Sequence, residues 1–419
     1  MADILCREYA EELDRVDPLA GFRDRFVLPE PGLRYLDGNS LGRLPRATVD
    51  RLATVVAEEW GRGLIRSWSS WIGLCREVGD LIADAVVGAR PGEVVVSDST
   101  TVNLYKLAAA ALDACPGRTV VLASAEEFPT DRYVLQGLCS ARGLTLREIP
   151  TDIDTGLTVA AVRAALDSSV ALVCLSHVAY RSGALADLPA ITAAAHDAGA
   201  MVLWDLSHSG GSVPVELARA GADLAVGCTY KYLNGGPGAP AYLYVRGDLQ
   251  DRLRQPVQGW FGTVEQFAMG PAYEPAAGID RFLVGSPPIL AVAAVEEGVR
   301  LTAEAGIDRL RAKGMAMTSY LVTLADEWLA PLGFRLATPR DPQRRGSHVS
   351  LHHPEAWQAC QAMIDRGVVP DYRTPDRVRL GPAPLTTRFV DVYDAVGLVR
   401  DIVAAGDHRK YPAEPARVT

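Results

Sequence analysis

The sequence predicts an α/β protein: a seven-stranded, mainly parallel sheet in an αβα sandwich, with a smaller α+β domain attached. Three observations point there. Short apolar, β-branched runs alternate with alanine-rich helical runs between residues 93 and 245. Those runs are continuously apolar rather than alternating, as in strands buried on both faces. After about residue 287 the rhythm changes to long helices and shorter strands. Composition agrees. Of 419 residues, 48% are hydrophobic and 22% charged, which gives a large core and excludes disorder as the main state.

The elements follow in order. Residues 1–45 lack a βα unit of their own and are expected to pack with the smaller domain. Residues 46–87 read as two amphipathic helices around a Trp-rich connector, Trp60 to Trp71. Seven strands are expected at Glu93–Ser97, Thr119–Ala123, Leu144–Ile149, Val170–Leu175, Ala200–Trp204, Asp223–Cys228 and Pro240–Val245. Helical patterns such as Val102–Asp113 and Leu188–Ala198 separate the first six, which implies crossovers and parallel pairing. A Gly/Pro loop alone precedes the seventh, so antiparallel pairing is expected there. Two long helices should cover roughly 287–305 and 306–330. Ser347–Leu351, Pro354–Asp365, Val378–Leu380 and Thr387–Ala404 then complete the smaller domain. The expected division is 1–45, 46–300 for the large domain and 301–419 for the small one.

Charge and cysteine content narrow the function. The 42 basic and 51 acidic residues give a net charge of −9, which argues against nucleic acid or a membrane surface as partner. No stretch approaches the ~18 apolar residues of a membrane span, and no secretory leader is evident. Seven cysteines without a C-x-x-C pair suit a reducing, cytoplasmic setting. Only four of the basic residues are lysines: Lys106, Lys231, Lys313 and Lys410. A reactive amine therefore has four candidates.

In open parallel sheets, ligands bind beyond the carboxyl ends of the strands. Four clusters lie there. Ser99-Thr100-Thr101 opens a helix and could hold phosphate or simply cap that helix. Glu127-Phe128-Pro129-Thr130-Asp131 offers an aromatic face and a carboxylate, or a plain turn. Asp205 ends a very apolar strand. It could pair with a cationic ring nitrogen or cap the next loop. Lys231, between Tyr230 and Tyr232, precedes the loop Asn234–Gly238 and could carry a desolvated, nucleophilic amine. Lys106 lies in a continuous helix, Lys313 in a late helix and Lys410 in the polar tail. Arg379 is either a carboxylate clamp or a surface arginine on an edge strand. Gly236-Pro237-Gly238-Ala239-Pro240-Ala241 matches a dinucleotide fingerprint formally, but a strand follows where a helix is required. His348, His352, His353 and Glu355 lack a recognised metal-ligand spacing, and no metal is expected. Together, a hydroxyl-rich helix start, an aromatic, a strand-end Asp and a strand-end Lys describe a pyridoxal-phosphate site.

The motifs Tyr35–Gly42, Phe128–Asp131, Trp204–Gly210, Ala225–Pro240, Gly259–Gly262 and Arg281–Leu290, in this order, resemble kynureninase, a fold-type I pyridoxal-phosphate family. The likeness spans about residues 35–385. It implies phosphate binding by Thr100 and Thr101 and ring stacking by Phe128. It implies ring-substituent contacts from Asp131 and Ser176, and pairing of Asp205 with the ring nitrogen. His208 would lie beside the cofactor. Tyr230 would touch the phosphate and donate a proton, and Lys231 would form the Schiff base. Trp260 and Ser286 would come from a neighbouring subunit, which implies a homodimer. Arg379 would hold the substrate α-carboxylate, with Trp68, Gly285 and Ser286 at the aryl ring. The implied reaction is hydrolysis of the Cβ–Cγ bond of L-kynurenine to anthranilate and L-alanine, within tryptophan catabolism or NAD biosynthesis. The ring positions resemble the bacterial type, so plain kynurenine is expected over the 3-hydroxylated substrate. The alternatives are a cysteine desulfurase or aminotransferase on the same fold, or a non-catalytic binding protein.

Overall fold

The computed structural model describes residues 3–28 and 30–414. The outer ends of the expected first and last units, residues 1–2 and 415–419, lie outside the described residues, as does residue 29.

All seven strands form: β1 (Val94–Val96), β2 (Val120–Ser124), β3 (Thr145–Ile149), β4 (Val170–Ser176), β5 (Met201–Asp205), β6 (Leu224–Gly227) and β7 (Tyr242–Val245). Their order across the sheet is β1-β7-β6-β5-β4-β2-β3. Neighbours from β3 to β6 pair in parallel, whereas β7 runs antiparallel to both β6 and β1. Two reversals therefore restore the direction of β1, and the carboxyl ends of β1 to β6 share one edge. The strands read as apolar runs because the central ones are buried throughout; only the edge strand β3 is largely accessible.

Crossover helices follow from local signals. Ser99 caps helix Thr100–Ala114 by accepting from Val102 N at 3.3 Å. Pro129 starts helix Pro129–Arg142, which stops at Gly143 with φ +67°. Asp187 caps helix Leu188–Asp197. The Trp-rich stretch is more helical than expected. Helix Arg46–Thr54 widens into a π-helical segment, Val55–Gly63, and short turns carry the chain on to Trp71. The two later helices, Ile289–Ala305 and Ile307–Leu324, part at Gly306, whose φ of +80° ends the first.

A second core gathers Met317, Leu321, Trp357, Met363, Val378 and Val396 around a four-stranded antiparallel sheet. The N-terminal segment packs on this core through Ala10 and Leu36, and Arg34–Tyr35 pairs with Val368–Val369. Asp14 adds a distant cap to helix Phe389–Ala404, beside the local Asp391, which accepts from Arg388 N at 2.9 Å. The Asp14 carboxylate accepts from Phe389 N at 2.6 Å and Val390 N at 3.0 Å. The strand carrying Arg379 (Arg377–Leu380) pairs on both sides, with Val349–His352 and Asp371–Arg373. The edge-strand reading of Arg379 is thus wrong: the strand is central, and Arg379 is 1% exposed.

Candidate active site

One cavity opens at the carboxyl edge of the sheet, where chain segments leave β1, β2, β4, β5 and β6. Its wall contains Thr100, Thr101, Phe128, Asp131, Ser176, Asp205, His208, Tyr230 and Lys231. Nine residues singled out from five separate stretches of sequence thus meet in one place. Thr130, Tyr180 and Ser207 complete the wall; none had been given a role, although Thr130 lay within the Glu127–Asp131 cluster. Ser207 lay within a quoted motif. Tyr180 carried no local signal beyond following a strand end.

Thr100 and Thr101 occupy the first turn of a 15-residue helix. Its free amides make an anion site, and because Ser99 does the capping, both threonine hydroxyls remain available. Phe128 is partly exposed and meets Tyr180 edge-on at 5.2 Å. Asp205 caps the next loop, accepting from Ser207 N at 2.8 Å and Ser207 Oγ at 2.6 Å, and it also faces the cavity. Lys231 Nζ lies 3.0 Å from His208 Nε2 and 5.9 Å from the centre of the Tyr230 ring. Burial, and then the charge of Lys231, hold the His208 pKa well below the ordinary histidine value. His208 is therefore neutral and accepts from the amine.

The acids are unbalanced. Burial, then Asp205 and Glu127, push the Asp131 pKa well above the carboxylate range, and Asp131 Oδ2 has no hydrogen-bond partner. Burial likewise lifts Glu127 to about 7 against the pull of its Ser176 donors. No arginine pairs with Asp131 or Asp205 among the described residues. A wall of buried acids with an orphaned oxygen suits a cationic ring nitrogen. With a hydroxyl-rich helix start and a half-buried amine beside it, the residues present fit pyridoxal phosphate.

Arg379 stands behind this cavity and donates to the carbonyl of Tyr180 at 2.6 Å. It also pairs with Asp371, donates to Ser40 Oγ at 2.9 Å and faces Asn39. Asp37, in the same cluster, is lifted to about 7 by burial and by Asp371. His348, buried and without a partner at either nitrogen, packs 5.4 Å from His208. Neither His348 nor Asp371 was anticipated at the site.

Trp68, Trp260, Gly285 and Ser286 do not line the cavity of their own chain. Trp68 packs against Trp71 and Phe261, at 5.8 and 5.9 Å. Trp260 is 40% exposed and touches Phe261 and Phe267. The other lysines are engaged elsewhere. Lys106 is fully buried and donates to Asp98 at 2.6 Å, Phe282 O at 2.8 Å and Ser97 Oγ at 3.2 Å. Lys313 pairs with Asp17 at 2.6 Å, and Lys410 is exposed beside Asp407. Cys360, the thiol a desulfurase reading would favour, is buried on helix Ala356–Asp365, and its pKa is raised by burial. His352 pairs with Asp376 and Glu355 with His408, so these residues do not converge.

Solved structures define the class first. A cysteine desulfurase from Thermococcus onnurineus NA1 superposes with a TM-score of 0.79 at 20% identity, covering 94% of this chain and 98% of that one. The cysteine desulfurase CsdA from Escherichia coli gives 0.78 at 17%, covering 93% and 99%. The chain therefore has the fold of the fold-type I pyridoxal-phosphate enzymes. Sequence comparison goes further. Kynureninase from Pseudomonas fluorescens is 46% identical over 399 residues, covering 93% of this chain and 94% of the relative. Kynureninase from Burkholderia pseudomallei (strain 1106a) is 46% identical over 407 residues, covering 95% of each. Residues 310–399 match the family model for the kynureninase C-terminal domain. The chain belongs to the kynureninase family.

Proposed function

We propose that this chain is a pyridoxal-phosphate-dependent hydrolase that cleaves the Cβ–Cγ bond of L-kynurenine, giving anthranilate and L-alanine. Family membership supports the reaction. One observation carries the site: Lys231 shares a single cavity with a buried acid wall and a hydroxyl-lined helix start.

The bound cofactor supplies an electron-withdrawing ring that stabilises negative charge on the substrate carbons. The chain does the rest. First-turn amides, the Thr100 and Thr101 hydroxyls and Tyr230 hold the phosphate. Phe128 covers one ring face, while Asp131 and Ser176 meet ring substituents. Asp205 keeps the ring nitrogen protonated by ion pairing. Lys231 anchors the cofactor through its amine. When not holding the cofactor, Nζ would take the substrate α-proton, and His208 would steer that amine by accepting from it. Arg379 binds the α-carboxylate, for which the Asp371 and Ser40 contacts must loosen. Water adds to the side-chain ketone and becomes part of the anthranilate carboxylate, and Tyr230 delivers a proton as the Cβ–Cγ bond breaks.

The chain acts as a homodimer in this reading. Val264, Phe267 and Met269 are 54%, 74% and 72% exposed beside Trp260, an apolar surface suited to a second copy. Trp260, Ser286, Trp68 and Gly285 then act on a neighbour's cavity, the last three at the aryl ring. Plain kynurenine is the preferred substrate. The three-part division at 46 and 301 and a cytoplasmic setting belong to the same proposal. No helix among the described residues is long and apolar enough to cross a membrane.

Lys231→Ala should cut anthranilate release, followed by fluorescence, by ~10³-fold or more, since it removes both anchor and base. Turnover close to wild type would sink the catalytic assignment. Parallel assays with 3-hydroxykynurenine test the substrate preference.

A further inference from the structure

Glu127 has no part in the scheme above, yet it is 4% exposed and lies at the site. It follows β2 and reaches the end of β4. Its two carboxylate oxygens accept from Ser176 N at 3.0 and 3.1 Å, and Oε2 also accepts from the Ser176 hydroxyl. Two cavities meet at Ser176. One is the cofactor cavity. The other, behind it, is lined by Glu127, Ser124, Thr151, Glu126 and Arg181. Ser176 borders both, whereas Glu127 borders only the second. Glu127 therefore reaches an occupant of the first cavity through Ser176.

A serine hydroxyl has one proton and two lone pairs. Once that proton points at Glu127, only lone pairs remain for the other side. Ser176 is also the register partner of Asp205, so the acceptor stands next to the acid proposed to face the ring nitrogen. We propose that Glu127 is a positioning residue that fixes Ser176 as a pure hydrogen-bond acceptor toward the cofactor ring. This rests on the pyridoxal-phosphate reading. An acceptor there favours a ring substituent that keeps its proton and disfavours one that has lost it. Asp131 and Asp205 are the acids on the cofactor side of Glu127, and the buried thiol of Cys174 lies within reach of all three. Glu126, paired with Arg181, and Asp152 are those on the far side.

The test is spectroscopic and uses the cofactor-loaded full chain. The absorbance of bound pyridoxal phosphate is titrated above pH 7 in wild type, Glu127→Gln, Ser176→Ala and the double variant. Glutamine offers one acceptor oxygen for two Ser176 donors, which releases the hydroxyl. Its midpoint should move down by about half a pH unit or more, and cofactor Kd should rise by roughly 3- to 10-fold. Ser176→Ala should behave alike, and the double variant should match Ser176→Ala alone. Glu127→Asp separates position from charge. It keeps the carboxylate but withdraws it by one methylene, so it should resemble Glu127→Gln. A wild-type midpoint in Glu127→Asp, or an undiminished effect of Glu127→Gln in the Ser176→Ala background, would overturn the proposal. Thermal melts of each variant show that the folded chain is being compared. If wild type itself gives no pyridoxal-phosphate spectrum, the parent reading fails and this one with it; a normal wild-type spectrum with no shift in any variant rejects this proposal alone.

Discussion

Two groups of buried carboxylates flank the site, and they are built on opposite principles. Glu127, Asp131 and Asp205 lie at the strand ends without an arginine between them. Asp37 and Asp371 lie against Arg379 and Arg373, and Arg379 bonds besides to Ser40 and the Tyr180 carbonyl. Buried charge is costly unless compensated. The first group is left short of a cation, which is what a protonated ring brings. The second is compensated within the chain, so an incoming carboxylate must compete with Asp371 for Arg379. An incomplete ion network marks where a ligand completes the protein; a complete one marks where a ligand has to displace part of it.

Removing the cation from the complete network should have the largest effect on the fold. Arg379→Met leaves the buried Asp371 and Asp37 with Arg373 as their one remaining cation among the described residues and should cost ~3–5 kcal/mol in urea unfolding of the cofactor-free chain. A variant as stable as wild type would show that the network is not closed. Asp205→Asn should do the reverse. It removes one uncompensated charge, so the cofactor-free chain should be no less stable, while turnover falls by ~10²–10⁴-fold. A large loss of stability in Asp205→Asn would erase the contrast between the two groups.

The smallest effect is in pH. Burial raises Glu127 from 4.5 in the unfolded chain to about 7 when folded. Between those values the folded chain binds more protons than the unfolded one. The contribution of Glu127 is thus full below 4.5 and is lost as pH rises through 7. Asp37 adds to this trend, whereas His177, lowered to about 3 by burial, opposes it. Comparing Glu127→Gln with wild type isolates one group. Wild type should gain roughly 1–3 kcal/mol on the variant as pH falls from 7.5 to 5. A stability difference that does not change with pH would show that Glu127 keeps its charge state throughout.

The sheet was legible because strands buried on both faces cannot hide their composition; Val94-Val95-Val96 is the plainest case. The site was legible wherever a residue follows a strand end directly, as Asp205 and Lys231 do. What escaped depends on contacts distant in sequence. Arg377-Val378-Arg379-Leu380 alternates charge with apolar residues, as an exposed edge strand does, yet Arg377 meets the half-buried Asp154 and Arg379 the buried Asp371. Lys106 sits in an alanine-rich helix, where a lysine normally faces water. Only the carbonyl of Phe282 and the turn at Asp98 turn it into a core residue. Glu127 was visible as a carboxylate, but its partner Ser176 ends another strand.

The antiparallel insertion of β7 has a consequence for the order of assembly. β1 is reached first along the chain, yet its only partner in the sheet is β7, the last strand made. Within the sheet, the turn holding Thr100 is joined to the other strand ends only once the loop after Lys231 has folded back and β7 has slotted between β1 and β6; outside it, helix Thr100–Ala114 already packs on β4, β5 and β6. A molecule gripped at both Thr100 and Lys231 recognises only chains that have completed this closure. Its binding energy then falls on the longest-range contact in the sheet, so the cofactor also serves as a latch on the finished fold.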